Sequence, residues 1–474
     1  MDYLGFNAYE KSINRKGAST VFLAADGNET FLVVQGKNPG FKGTKLPGNK
    51  FKIPLDHKNA VILRKLFPFT APSRVLKQER SFGVGDRLGI AAPGHIRVFE
   101  KYDAWPVFAQ QSIRELNLTN RTYEDVLDAV TFAVFREGFK KPWGADGDHL
   151  KTAKDVKYAL SLGFTMITLD CSEHIKNDVT DENAPELPKK YSDKYLGKQF
   201  DVGEGLVLSF TETDLKKIAA IYGEAITFAV DMYKKFLKKG QADFEISIDE
   251  TSTPTTPLQH YFVARELIDE GVSFATIAPR FCGEFQKGID YIGDLTQFNK
   301  EIKAHAIIAR HFKYKLSIHS GSDKFSVFPG IGKETRRIFH VKTAGTNWLE
   351  AVRVIAAADP TLYREIHKYA LSAFDEAKKY YHVTTDLKKI PDVDKVSDAD
   401  LPKLFDANPD RSNDNVRQLI HITYGLILSK KNEDGSFTYR DKLYKLWRDR
   451  ENDYTAALVK HIGKHMELLG VKKA

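Results

Sequence analysis

The strongest constraint on this chain is an alternation of two textures between about residues 80 and 360. Short runs rich in β-branched and aromatic residues end in polar side chains. An amphipathic stretch of about 10 to 18 residues follows each run. Strands separated by helices pair in parallel, because only a long crossover brings the chain back to the same edge. Strands are predicted over 81–88, 107–111, 143–149, 165–171, 243–249, 274–281, 315–320 and 337–343, with helices over 123–137, 153–162, 214–238, 258–270 and 295–312. Eight such units over about 280 residues predict an α/β fold of the (β/α)8 TIM type. An open doubly wound sheet is the alternative, and it usually carries a Gly-rich turn after its first strand. The turn present, Gly83-Val84-Gly85-Asp86-Arg87-Leu88-Gly89, has one residue too many for the dinucleotide fingerprint. No nucleotide cofactor is expected there; the turn is read as presenting Asp86 and Arg87.

The flanking segments differ in texture. Residues 1–78 carry β-like runs at 19–25 and 30–35, joined by Asp26-Gly27-Asn28 as a hairpin turn, and a short helix at 60–66. They are read as a small α/β cap on a barrel spanning 79–360. Residues 172–213, rich in Lys, Asp, Glu and Pro, form an insertion after the fourth strand and are expected to act as a lid. Residues 361–474 read as a helical extension, most apolar over 415–428.

Composition removes several function classes. Cys171 and Cys282 are the two cysteines, without a CxxC pair, so neither a disulfide framework nor a thiolate zinc site is expected. The net charge of +8 comes from 71 basic and 63 acidic residues spread along the chain. That spread argues against nucleic acid as a partner and favours a small anionic substrate. No run approaches the ~20 apolar residues of a membrane span, and residues 1–11 show no secretory signal. A cytoplasmic protein is expected, with the oligomeric state left open.

A barrel works at the C-terminal ends of its strands. The third strand ends in Asp146-Gly147-Asp148-His149, the sixth in Arg280 before Glu284, and the seventh in His319-Ser320-Gly321-Ser322-Asp323-Lys324; the eighth carries His340 and Lys342. On the fifth, period-two alternation puts Glu245, Ser247 and Asp249 on one face. Polar groups facing a barrel interior need a metal, a substrate or water to satisfy them. Histidines 149, 319 and 340 on separate strands converge at one mouth. Imidazoles with a carboxylate suit one divalent cation with an open position, without distinguishing Zn, Mn, Ni, Co and Fe. His149 can hold the metal while Asp148 takes a proton. Lys324 and Lys342 can neutralise a substrate carboxylate, and the Gly345 turn leads into a helix N-terminus, an anion site. Arg87, Arg280 and His340 are further substrate-contact candidates, and Gln110 and Gln111 can bind hydroxyls. His461 and His465 have metal-compatible i,i+4 spacing but no acidic residue between them.

With these residues in view, the chain resembles the tagaturonate/fructuronate epimerases of bacterial hexuronate catabolism. The resemblance is most specific in Gly144-Ala145-Asp146-Gly147-Asp148-His149, Ile248-Asp249-Glu250-Thr251, Gly288-Ile289-Asp290-Tyr291, the 319–324 run and His340-Val341-Lys342-Thr343-Ala344-Gly345-Thr346. A more distant likeness is to class II metal-dependent aldolases. The resemblance implies Asp148 as proton acceptor, Glu245 as the opposite acid, and His149 and His319 as metal ligands. Glu284 is favoured over His340 as the third ligand. The expected reaction is epimerisation through deprotonation beside the ketone. An aldolase with the same metal, and a non-catalytic sugar-binding protein, are the alternatives.

Overall fold

The computed structural model describes residues 1–27 and 29–474. Eight parallel strands close into a barrel in sequence order: β1 (Arg80–Val84), β2 (Trp105–Ser112), β3 (Gly144–Leu150), β4 (Met166–Asp170), β5 (Asp243–Ile248), β6 (Thr276–Pro279), β7 (Lys315–Ile318) and β8 (Phe339–Thr343). β8 pairs back onto β1, with His340 opposite Ser81. The helices start where the sequence supplies caps. Thr122 and Thr256 form capping boxes, and Thr152, Thr211 and Asp294 accept from first-turn N–H groups. Gly138 and Gly163 end two helices in the left-handed conformation that glycine adopts without a Cβ penalty.

Alternation divides the strands cleanly. Phe244, Ile246 and Ile248 face the surrounding helices, where Phe244 stacks on Tyr233. Glu245 and Thr276 meet inside the barrel, 2.7 Å apart. A barrel interior is usually filled with branched apolar side chains. Here Val75, Leu76, Val107 and Met166 form an apolar cluster. Ser81, Asp146, Thr168, Glu245, Lys315, Ser317, His340 and Lys342 are all buried polar residues. Charged groups survive such burial only when paired and hydrogen-bonded, so this interior determines much of the site's chemistry.

The flanking segments pack on the barrel's side. The hairpin strands are Ser19–Asp26 and Glu29–Gly36; Asn28 of their turn lies outside the described residues. Helix His57–Leu66 covers this sheet, and the joint core includes Phe132 and Phe135 of barrel helix Tyr123–Glu137. The N-terminal unit therefore sits against a flank helix, not over the mouth. The insertion reaches the cavity at its start, where Glu173 is a lining residue, and its later part packs on the barrel's outer wall. Tyr191 and Tyr195 pack against Phe262, Phe200 packs against Tyr261, and Lys194 pairs with Glu266 on outer helix Pro257–Asp269. Its aromatic side chains find their apolar partner on the barrel wall, which holds it there. In the extension, helix Asp414–Ser429 packs on helices Pro360–Lys378 and Ile113–Thr119, and helix Glu451–Leu468 packs on Ala92–Lys101. No helix among the described residues is long and apolar enough to cross a membrane.

Candidate active site

A cavity of 480 Å³ opens at the C-terminal ends of the strands, lined among others by Asp148, His149, Asp249, His319 and Lys342. Simple alternation would send Asp148 and His149 to opposite faces of β3. The β3–β4 register shifts between Gly147 and Leu150, and His149 takes a left-handed φ of 54°. Such a bulge re-aims side chains at a barrel rim. It brings the His149 ring to 5.0 Å from that of His319, while His149 Nδ1 stays 2.7 Å from Asp148 Oδ1.

His319 is clamped between two carboxylates of β5 and its following residue. Its Nε2 lies 2.8 Å from Glu245 Oε1, and its Nδ1 lies 3.2 Å from Asp249 Oδ1. Nδ1 is buried and makes no hydrogen bond among the described residues. One donor atom each from His149, Asp249 and His319 falls within 4.8 Å of the others. An unpartnered imidazole nitrogen beside a carboxylate and a second imidazole fits a divalent cation. The ring's other nitrogen is oriented by Glu245, the usual outer partner of a metal-binding histidine. In the metal-free protein burial opposes a charge on His319, but Asp249 and Glu245 prevail and raise it to about 10.

Lys342 ties the remaining carboxylates together. Its Nζ lies 2.5 Å from Asp148, 2.7 Å from Asp146 and 3.2 Å from Glu245. Burial pushes the Asp148 carboxyl up, but Lys342 and His149 hold it well below the usual carboxylate range. Asp146 goes the other way, to about 6, because burial and the neighbouring Asp148 and Glu245 charges outweigh Lys342. Asp148 is thus kept anionic.

Several predicted contacts lie elsewhere. Glu245 is fully buried and is not among the cavity-lining residues; its oxygens meet Thr168, Thr276, His319 and Lys342. It cannot be the opposite acid, because it faces the barrel interior beneath His319. Glu284 is no part of the histidine cluster. It accepts from Gln286, lies 3.4 Å from His382 and lines an adjoining cavity with Arg280. The carboxylate between the two imidazoles is Asp249. His340 is buried with Nδ1 3.0 Å from Ser81 Oγ, one alternation step deeper than Lys342. Arg87 is consumed by Glu115, the His421 carbonyl and the Tyr424 ring, 3.9 Å away. Lys324 donates to the carbonyls of Gln286, Ile289 and Ser322, which uses all three of its protons. Gln110 lines the cavity, whereas Gln111 is not among its lining residues. Gly83 is needed for Gln110: a Cβ there would stand 1.8 Å from Gln110 Oε1.

The residues that sequence reasoning left unassigned are Asp249, Asp146, Arg114 and Lys287. Asp249 shared the Glu245 face in the alternation, and that signal was available. Arg114 and Lys287 lie outside the strands, and no periodicity marks them. His461 and His465 do meet an acid, Asp323, but not as an open ligand set. His465 Nε2 accepts from the Asp323 N–H and its Nδ1 faces the His461 carbonyl, while His461 Nε2 lies 2.6 Å from Asp323 Oδ1. This cluster pins the last helix to the β7 loop.

The sequence profile of the tagaturonate epimerase family, UxaE, matches residues 9–469. The chain belongs to this family. A tagaturonate/fructuronate epimerase of Thermotoga maritima is 45% identical, over 98% of this chain and 97% of that protein. The native crystal structure of fructuronate-tagaturonate epimerase UxaE from Cohnella laeviribosi matches with a TM-score of 0.94 at 47% identity, covering 98% of this chain and 97% of that one. A glycerol complex of the same enzyme gives 0.93 at 47% identity, over 99% and 97%. The resemblance read from the strand-end motifs is a family membership, and the chain is an isomerase of the epimerase type.

Proposed function

We propose that this chain interconverts D-tagaturonate and D-fructuronate, using one divalent cation held by His149, Asp249 and His319. The observation that carries this reading is the unpartnered His319 Nδ1 beside Asp249 and His149, with the Asp148 carboxylate at the same cavity floor. A bound divalent cation would supply Lewis acidity toward a substrate carbonyl oxygen. Asp148 is the proton acceptor, and Lys342 keeps it ionised. We place the chain in the cytoplasm.

The proton route beside the ketone gives way to a different one. That route needs acids on both faces of the substrate, and Glu245 does not reach the cavity. The two sugars also differ at C4, whereas the ketone is C2, so a proton taken from C3 does not invert the right centre. The C4 hydroxyl is β to the ketone, the arrangement that permits retro-aldol cleavage. Asp148 takes the C4 hydroxyl proton, the C3–C4 bond breaks, and its electron pair passes to the C2 carbonyl. The fragments are the enediolate of dihydroxyacetone and the three-carbon aldehyde acid 2-hydroxy-3-oxopropanoate. Rotation of the aldehyde presents its other face, C3 adds again, and Asp148 returns the proton to the new C4 hydroxyl.

The test is turnover of D-tagaturonate in D2O, with and without chelator, followed by NMR. Epimer formed without carbon-bound deuterium, and lost on metal removal, is the expected result. Solvent deuterium entering at C4 at each turnover would overturn the cleavage route. Full activity in metal-free protein would overturn the metal reading.

A further inference from the structure

The proposed substrate carries a carboxylate at C6, and the cations predicted to receive it are engaged. Lys342 serves three carboxylates and Lys324 three carbonyls. Lys151, also on the cavity wall, lies 3.2 Å from Glu173 and 3.6 Å from Asp170. Two cavity cations remain with no carboxylate within ion-pair distance among the described residues: Arg114 and Lys287. Each lines both the main cavity and the adjoining one. Glu250 shares that wall without forming an ion pair to either among the described residues.

Both side chains are positioned by neutral neighbours. Arg114 is the second residue of the helix Ile113–Thr119, capped by Ser112, and its guanidinium lies 5.1 Å from the Tyr381 ring centroid. Tyr381 is in turn fixed 3.1 Å from the Tyr424 hydroxyl. The Lys287 backbone sits in a segment pinned on both sides. Lys324 holds the Gln286 and Ile289 carbonyls, Arg417 holds the Gly288 carbonyl, and Gln418 reaches the Gln286 side chain. The Lys287 ammonium is left with a single neutral partner, the Ser320 hydroxyl at 3.2 Å. Pre-positioned donors of this kind lose little entropy when an anion arrives.

We infer that Arg114 and Lys287 form the subsite for the substrate's terminal carboxylate, a proposal that rests on the epimerase reading above. Arg114 supplies the planar fork that matches a carboxylate, and Lys287 a point charge. The subsite also has a consequence for the chemistry. After C3–C4 cleavage the carboxylate stays on the aldehyde fragment. A grip on C6 lets the C4 carbonyl turn over while the fragment stays in the cavity. The C-terminal extension, which carries Tyr381, Arg417 and Gln418, builds this wall; it is thereby part of the site.

The test compares Arg114→Met, Lys287→Met and Arg114→Lys with the unmodified protein. KM for tagaturonate should rise roughly tenfold or more in each Met variant, as expected for losing one charge-assisted contact. Free dihydroxyacetone and 2-hydroxy-3-oxopropanoate should accumulate, metal content and melting temperature should not change, and Arg114→Lys should recover part of the loss. KM and fragment release unchanged in both Met variants would overturn the proposal. Failure of the unmodified protein to turn over tagaturonate would instead remove the substrate assignment. Titration of the metal-free proteins with D-glycerate separates the two. Binding that weakens in both Met variants supports the subsite whatever the substrate, and equal binding in all four proteins overturns it.

Discussion

His319 Nε2 lies 2.8 Å from Glu245 Oε1, and the other nitrogen of the same ring is left unbonded among the described residues, 3.2 Å from Asp249. Once the ring has lost its second proton, Nε2–H donates to Glu245 and the Nδ1 lone pair is free for a cation beside Asp249. One buried carboxylate thereby selects the tautomer that can bind a cation.

Glu245→Gln should lower metal affinity by about 10- to 100-fold without removing any direct ligand. Metal titration of the stripped variant checks this. An unchanged affinity would show that Glu245 does not orient the ring.

Asp249 and Glu284 are separable as ligands. Asp249→Asn should be isolated with little bound metal, whereas Glu284→Gln should retain a full complement, because Glu284 is occupied with Gln286 and His382. Elemental analysis of the two variants decides between them, and the reverse pattern would reinstate Glu284.

Asp148→Asn removes the proposed proton acceptor but no member of the His149–Asp249–His319 cluster. The turnover number should fall by about 10²- to 10⁴-fold with metal content intact. Metal loss on this substitution would make Asp148 a ligand.

Metal affinity should increase with pH. His319 in the stripped protein is protonated up to about 10, so a cation must displace that proton. Affinity should gain about tenfold per pH unit through the neutral and mildly alkaline range. In the same stripped protein, the raised His319 value contributes stability that is complete below about 6.5, the ordinary histidine value. That contribution is lost as pH rises through about 10. Metal titrations and denaturant midpoints between pH 6 and 10 measure both trends; a pH-independent affinity would contradict the assignment.

Lys342→Met leaves Asp146, Asp148 and Glu245 buried without their common cation. A loss of about 3–5 kcal/mol is expected in denaturant unfolding. Adding Asp146→Asn should recover part of it, since one buried like charge is removed.

All eight barrel strands were legible because each is a local pattern with β-favouring residues, a polar end and a helix after it. Their polar lumen was legible too: period two alone places Glu245, Ser247 and Asp249 on one face. His149 and His319 followed from their strand-end positions. The misplacements share one cause. Arg87, Lys324 and His340 have suitable chemistry near the right strand ends, but nearly all of their partners lie 28 or more positions away along the chain. Position along a strand also could not separate Glu245, a layer below the cavity, from Asp249 at its floor.

The sequence by itself determined the barrel, its polar interior and the two histidines, since alternation and helix capping act over a few residues. Only the tertiary structure decided which charges remain available. Ion pairs form between groups that folding brings together, and a buried cation can serve only the partners that its own shell leaves unfilled. For that reason Lys342 and Lys324 turned inward to hold the site together, Asp249 took the place expected of Glu284, and Arg114 and Lys287 were left facing the cavity.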